Sequence, residues 1–351
     1  MDGATVDDTA TDRFDTSRFQ ANRNRLAALA YRLLGSATDA EDAVQDAFLH
    51  WQAADRQHIR VPEAWLTKVV TNLCLDRLRS AHTRRERTAG AWLPEPLLDG
   101  DPMLGPADTF EQRESVSLAV LTLMERLSPL ERAVYVLREA FSYTHADIAD
   151  ILEITVSTSQ QHLHRARRRI TAAHRHRGGD VDPATARRIV EEFLAAASTG
   201  RTEQLVALLT DDAIAISDGA GLTATLLRYD TAQHIATIAR AGFKPTPAKR
   251  RLAGGTPAVH YALVNGAPAI LFVLHVPLGS LDTVDASENI ERTDRTRATS
   301  MPEHQIIGAV TFDIADGKIT MVRGIAAPDR LVRLTRAWQQ HEPGTPLIAL
   351  W

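Results

Sequence analysis

Part-way along this chain the spacing of its apolar residues changes. Up to about His174 it is helical: Leu26, Leu29, Ala30, Leu33 and Leu34 form one run, and Gly35 stops it. Ala40, Val44, Ala47, Phe48 and Trp51 make a second stripe, preceded by Thr38 and Glu41 at capping-box spacing. Leu66, Val69, Val70 and Leu73 make a third, opened by Pro62, a good first-turn residue. The helical pattern resumes from Val116. Beyond Gly178-Gly179-Asp180 two amphipathic helices, around Ile189 to Leu194 and Leu205 to Leu209, give way to alternating runs: AIAIS, PAVHYALV, APAILFVLHV, HQIIGAVTFDI and KITMVR. Asn265-Gly266 and Asp316-Gly317 are hairpin turn signals between them. Helical bundles and a curved antiparallel sheet need separate cores, so 351 residues divide into several domains, the last an α+β domain of the cystatin-like kind.

The net charge of −4 does not by itself point to nucleic acid, but its distribution does. From Ile154 to Gly179 there is no acidic residue, and six arginines stand there with four histidines. A second basic stretch holds Arg77, Arg79, Arg84, Arg85 and Arg87 against Glu86. Two cationic patches on a mildly acidic chain suit a protein that meets phosphates in two places. Solvated helix faces are the plainer explanation. A single cysteine, Cys74, excludes an internal disulfide and a zinc-cysteine cluster, and fits a reducing cytoplasm. No apolar run reaches the roughly 20 residues of a membrane span. The acid-rich opening, MDGATVDDTATDRFDTS, reads as a disordered tail without a secretory signal.

The segment FSYTHADIADILEITVSTSQQHLHRARRRI carries the most chemistry. Thr144 and Asp147 can cap a short helix that buries Ile148, Ile151 and Leu152. After a turn at Glu153-Ile154, Thr155 can cap a second helix burying Val156, Leu163, Ala166 and Ile170. This is the helix-turn-helix pattern, with a plain helical hairpin as the alternative. Its first turns point Ser157, Thr158, Gln160, Gln161 and His164 toward base edges, and Arg165, Arg168 and Arg169 toward phosphates. Glu153 stands where glycine is more usual, and Ser159 where an apolar residue is.

Taken together, LAYRLLGSATDAEDAVQDAFLHW, PEAWLTKVVTNLCLDRLRSAHTRRE and ERLSPLERAVYVLREAFSYTHADIADIL running into HLHRARRRI resemble regions 2 and 4 of extracytoplasmic-function sigma factors of the sigma-70 class. The string Trp92-Leu93-Pro94-Glu95-Pro96 narrows the resemblance to the SigJ-like group, which carries a SnoaL-like C-terminal domain. That group's DGGGK-type and NPDKL-type motifs stand here as Asp218-Gly219-Ala220-Gly221-Leu222 and Ala327-Pro328-Asp329-Arg330-Leu331. The resemblance implies two all-α sigma domains, a region 2 bundle and a region 4 helix-turn-helix, followed by an α+β SnoaL-like domain. It implies a factor that binds core RNA polymerase and reads promoter minus-ten and minus-thirty-five elements. The acidic face Asp39, Asp42, Gln45 and Asp46 would dock on the beta-prime clamp helices. Asn72 would reach a base, with Lys68, Arg77, Arg79 and Arg84 on backbone and Asp76 pinning a neighbouring arginine. Region 4 would also rest on the beta flap. The sequence departs from the family pattern at Gln160 (arginine), Ser159 (valine), Leu222 (lysine) and Ala327 (asparagine).

The expected boundaries are a tail at 1–17, region 2 at 18–90, a linker at 91–115, region 4 at 116–177 and the SnoaL-like domain at 182–345. The polar stretch from Gly279 to Glu303 reads as a mobile loop. The last domain is expected to regulate rather than catalyse, through Trp92, Pro94, Glu95 and Pro96 in the linker and Asp218, Gly219, Gly221, Pro328, Asp329, Arg330 and Leu331 in its two motifs. The Gly178-Gly179 hinge would supply a short tether. A small-molecule ligand for that domain is the alternative; a proton-moving enzyme, using Asp211, Asp212, Asp218, His234, His260 or His275, ranks third. His275 shares a strand face with Ala269, Leu271 and Val273, the candidate cone wall. No metal-ligand spacing, Ser-His-Asp order or phosphate loop is present, and no cofactor is expected.

Overall fold

A computed structural model of the chain describes residues 6–55, 58–85, 93–174, 181–223, 225–275, 304–341 and 344–351. It divides into two compact units, Met1–His176 and Arg177–Trp351.

The first unit is helical. It comprises α1 (Val6–Leu34), α2 (Ala37–Ala53), α3 (Pro62–Arg85), α4 (Phe110–Glu114), α5 (Leu118–Met124), α6 (Pro129–Tyr135), α7 (His145–Leu152) and α8 (Val156–His174). Helix α1 starts at Val6, so the expected tail over 1–17 is largely helix. Gly35 ends it at φ 66°, leaving Ser36 extended, and Ser36 accepts from Asp39 N–H to cap α2. The cap therefore stands two residues before the Thr38–Glu41 box read from sequence. Pro62 opens α3 as expected, and capping boxes at Ser128–Glu131 and Thr144–Asp147 open α6 and α7.

One apolar core runs through this unit, from Leu26, Leu33, Val44 and Trp51 through Leu66 and Val70 to Val134, Ile148, Leu163 and Ile170. Arg32 is fully buried in it. Its guanidinium donates to Ser115 Oγ (3.0 Å), Pro106 O (3.2 Å) and Gln112 O (3.4 Å), and lies 5.5 Å from the Phe141 ring centroid. Burial pulls its pKa down to about 10, which leaves it charged at neutral pH. A side chain at Gly105 (φ 68°) would meet Ala28 Cβ at 2.6 Å and Arg32 Nη1 at 2.8 Å. Cys74 is also buried, and burial pushes its thiol up to about 12, so it is no nucleophile.

The second unit contains α9 (Pro183–Thr199), α10 (Thr202–Leu208), β1 (Leu209–Ser217), β2 (Leu227–Tyr229), α11 (Ala232–Phe243), α12 (Pro247–Leu252), β3 (Ala258–Val264), β4 (Ala267–His275), β5 (His304–Ala315), β6 (Lys318–Ile325) and α13 (Pro328–Gln339). The sheet order is β2-β1-β6-β5-β4-β3, antiparallel except for the β1–β6 pair. Both expected hairpin turns form, with Asn265, Gly266, Asp316 and Gly317 all at positive φ. The expected mobile loop falls outside the described residues over 276–303.

Helices α9 and α11 cover one sheet face, closed by a chain of rings: Phe193 lies 5.7 Å from Phe243 and 5.0 Å from Phe312, Phe243 lies 5.5 Å from Phe272, and Phe272 lies 5.2 Å from Trp351. Trp351 is buried, and its Nε1 donates to Phe243 O at 2.7 Å. The unit thus extends past the expected boundary at 345, because residues Leu347 and Ile348 pair with Val259 on the edge strand. The helix face takes Ile270 and Phe272 of β4. Ala269, Leu271, Val273 and His275 alternate onto the other face, so they are not the wall expected of a cone. Helix α13 covers that other face: Trp338 packs 5.1 Å from His260, which stands opposite Leu271.

Buried Glu131 on α6 accepts from Ser128 N–H (3.0 Å), Arg165 Nε (3.0 Å) and Arg169 Nη1 (2.5 Å), fastening α8 to α6. Burial alone would raise its pKa, but the Ser128 and arginine interactions outweigh burial and hold it below the usual carboxylate range. A carboxyl lowered on folding stabilises the native state above its ordinary pKa, and that stabilisation fades as pH falls through the lowered value. Glu131→Gln should therefore flatten the acid limb of the stability curve below the ordinary glutamate range and leave a less stable protein at neutral pH. Urea titrations across acidic pH check this; parallel curves for the two proteins would contradict it.

Candidate nucleic-acid and polymerase interface

Helix α2 presents Asp39, Asp42 and Gln45 to solvent, as the sequence reading expected. Asp46 is half-buried, because Arg77 of α3 donates to its Oδ2 at 2.6 Å and to Asp39 O at 2.9 Å. Arg77, read from sequence as a phosphate contact, is thus engaged with the acidic helix instead. The start of α2 is held from outside: Glu95 accepts from Ser36 Oγ (2.7 Å), Ala37 N–H (3.1 Å) and Thr38 N–H (3.4 Å). Burial raises the Glu95 pKa, with those same hydrogen bonds opposing it. Tyr31 Oη donates to Glu95 O at 2.8 Å. Pro94 and Pro96 are buried; Trp92 lies outside the described residues, as does the Gly178-Gly179 hinge.

On α3, Lys68, Asn72, Asp76 and Arg79 fall on one stripe at helical spacing. Asn72 is exposed and free to meet a base; Arg79 pairs with Asp76 at 3.0 Å, the pinning foreseen for that acid. Lys68 Nζ reaches Glu153 Oε1 at 2.8 Å. Behind the stripe, Arg25 Nη2 donates to Tyr143 Oη (2.5 Å), Arg25 Nη1 to Thr67 Oγ1 (3.2 Å), and Thr67 and Tyr143 hydroxyls sit 3.1 Å apart. These contacts join α3 to the segment entering α7. The Arg84 side chain lies outside the described ones.

Helices α7 and α8 form the helix-turn-helix. Glu153 occupies the left-handed turn at φ 55°, where its position had seemed anomalous, and carries the bond to Lys68. Thr155 Oγ1 accepts from Thr158 N–H at 3.1 Å and caps α8. Ser159 is fully buried but satisfied: its hydroxyl lies 2.9 Å from His145 Nδ1 on α7. Leu163, Ala166 and Ile170 are buried as expected, whereas Val156 is 43% exposed because the helix start projects beyond the core. Ser157, Gln160, Gln161, His164 and Arg168 are exposed; Thr158 is half-buried by its contact with Thr155. Arg165 and Arg169, expected on phosphates, point at Glu131, and Arg167 bonds Glu139 at 2.7 Å. A buried carboxylate beside the helix attracts them. Among the three arginines expected at phosphates, Arg168 alone has no acidic partner among the described residues.

The two motifs of the second unit meet in one carboxylate. Asp218 accepts from Ala220 N–H (3.0 Å), Ala326 N–H (3.0 Å) and Ala327 N–H (3.0 Å), joining the end of β1 to the start of α13. Gly219 (φ 60°) lies where a Cβ would sit 2.6 Å from Thr223 Oγ1, and one at Gly221 (φ 74°) would touch Ala327 Cβ. Pro328 opens α13, Leu331 is buried, Asp329 is exposed and Arg330 half-buried. Leu222, in the family's lysine position, is 87% exposed. The remaining acid–base candidates do not converge: Asp211 and Asp212 are exposed side by side on β1, His234 is exposed on α11 and His275 at the end of β4, and His260 sits against Trp338. Among the described residues no three His, Cys, Asp or Glu side chains form a metal-binding group, and no helix is long and apolar enough to cross a membrane.

Sequence reading missed Arg25, Tyr143 and Glu131. The only signals were polar residues at positions adjoining apolar helical stripes.

Comparison with known proteins agrees with this geometry. The family described as Sigma-70 region 2 matches residues 18–84, and Sigma-70, region 4 matches 117–170. The ECF RNA polymerase sigma factor SigJ of Mycobacterium tuberculosis is 38% identical over 214 residues, covering 61% of this chain and 68% of that protein. A probable ECF sigma factor SigI of the same species is 37% identical over 199 residues, 55% of this chain and 66% of the relative. The crystal structure of M. tuberculosis SigJ superposes with a TM-score of 0.61 at 29% identity, covering 91% of this chain and 98% of that one, so the SnoaL-like character of the second unit is shared. The chain belongs to the extracytoplasmic-function RNA polymerase sigma factors.

Proposed function

We propose that α2 docks this sigma factor on core RNA polymerase, that the exposed stripe of α3 reads the minus-ten element, and that α8 reads the minus-thirty-five element. Sigma factors are initiation factors rather than enzymes; they bind core polymerase and promoter DNA and direct transcription initiation. The observation that carries the assignment to α8 is its outward face: Ser157, Gln161, His164 and Arg168 project from a helix without a single acid. Neutral hydrogen-bonding side chains can discriminate base edges, and Arg168 can hold a phosphate without giving up an internal partner. The chain acts in the cytoplasm, where polymerase and promoter are.

The second unit is proposed to regulate rather than to catalyse. Its motif carboxylate, Asp218, is committed to backbone N–H groups, and aromatic rings fill the space between sheet and helices where a substrate would need to sit. A ligand-binding role is the competing assignment.

Changing Arg168 to alanine should weaken holoenzyme binding similarly on all promoters and reduce the salt slope by about one. Gln161→Ala should instead alter preference at one or two minus-thirty-five positions, by about 1–3 kcal/mol for each lost bidentate contact. Uniform loss in both variants would show that α8 does not read bases. Because Asp46 is tied to Arg77, Asp42→Lys is the cleaner probe of docking; it should lower core affinity about tenfold, equal to ~1.4 kcal/mol, with an unchanged melting curve. Core binding equal to wild type would remove this face of α2 from the interface. A chain ending at Gly179 should keep the same promoter and change in transcriptional output; run-off activity equal to full length would rule out regulation by the second unit.

A further inference from the structure

Helix α8 carries an apolar residue that its own fold does not use. Val156 continues the spacing of the buried stripe Ser159, Leu163, Ala166 and Ile170, yet it is 43% exposed while those four are at most 6% exposed. It is the first residue after the Thr155 cap, a position where a β-branched side chain adds nothing to helix stability. Its exposed neighbours on the helix are Ser157, Gln160, Gln161 and His164, all polar and none acidic. When a helix enters the major groove, its N-terminal residues approach base edges. The one apolar group on any base edge there is the C5-methyl of thymine. Ser157 and the glutamines can hydrogen-bond base edges; Val156 can do nothing but exclude water from a methyl.

We propose that Val156 is a specificity residue that packs on a thymine methyl within the minus-thirty-five element. The inference rests on α8 reading that element, and it adds a contact that hydrogen-bonding side chains cannot supply. Removing one methyl from such a contact lowers affinity about 4-fold, given about 0.8 kcal/mol per buried CH₂.

The test uses the full-length protein as holoenzyme on a bound promoter fragment. Each thymine of the minus-thirty-five element is replaced singly by deoxyuridine, which deletes only the methyl. Wild type should lose affinity about 4-fold at one of these positions. Val156→Ala should bind the thymine and uracil fragments equally there, with the affinity wild type shows for uracil. Val156→Thr, which keeps one methyl, should retain part of the discrimination. Core binding and melting should be unchanged in both variants. Indifference of wild type to every uracil would overturn the proposal, and so would full discrimination by Val156→Ala. Weakened core binding in Val156→Ala would assign the residue to the polymerase instead. Arg168→Ala on the same fragments separates the two layers: if it too leaves binding unaltered, the placement of α8 on the element fails. If it weakens binding while uracil has no effect, only the Val156 contact fails.

Discussion

The first unit is organised around a buried positive charge that, among the described residues, no carboxylate neutralises. Arg32 spends its guanidinium on the Ser115 hydroxyl, on carbonyl oxygens of Pro106 and Gln112, and on the face of Phe141. Those partners come from the segment between α3 and α5 and from Phe141, just before the entry to α7. A buried cation left short of acceptors costs several kcal/mol, so this segment cannot detach from α1 without a large loss. Gly105 is the condition for the arrangement, since a Cβ there would occupy the place of the guanidinium. Phe141, just before the entry to α7, is held by the same anchor.

A second set of contacts sets α3 against α7 and the turn that follows it. Lys68 bonds Glu153, and Arg25, Thr67 and Tyr143 form a polar knot behind them. Glu153 adopts a backbone conformation that glycine would take more easily, and its carboxylate is what occupies Lys68. The lysine expected to hold DNA backbone is therefore already engaged within the unit. The same economy appears at Arg77, Arg165 and Arg169, each bound to an internal acid. Counting basic residues along the sequence overstated the free charge of both patches; among their described residues Arg168 keeps no acidic partner, and neutral Asn72 on α3 stays exposed.

Fold class and nearly all long elements were legible in the sequence, because hydrophobic period, proline openings and Asx-Gly turns are local signals. The five strand-like runs all form strands, and the expected cap at Thr144–Asp147 forms. What escaped depended on distant residues. The cap of α2 is shared with Glu95, far along the chain, so a local box at Thr38 looked sufficient. Short β2 has only three residues and pairs through β1 alone, leaving no pattern to detect. The β4 face was misjudged because alternation says which residues share a side, not which side the helices cover. At the site, exposure of Val156 and engagement of Arg165 both follow from the seating of α8 on α6, a tertiary fact.

The hydroxyl of Ser159 and the ring of His145 make the heart of the helix-turn-helix polar where a hydrocarbon contact would do. For anyone recombining promoter preferences between sigma factors, this means α8 is not an interchangeable cassette. A recognition helix from a relative with valine at this place would strand His145 beside a methyl group and leave its ring nitrogen unmet. The converse graft would bury a lone hydroxyl in a neighbour's apolar seam. The unit of exchange is the α7–α8 pair, with the turn that joins them.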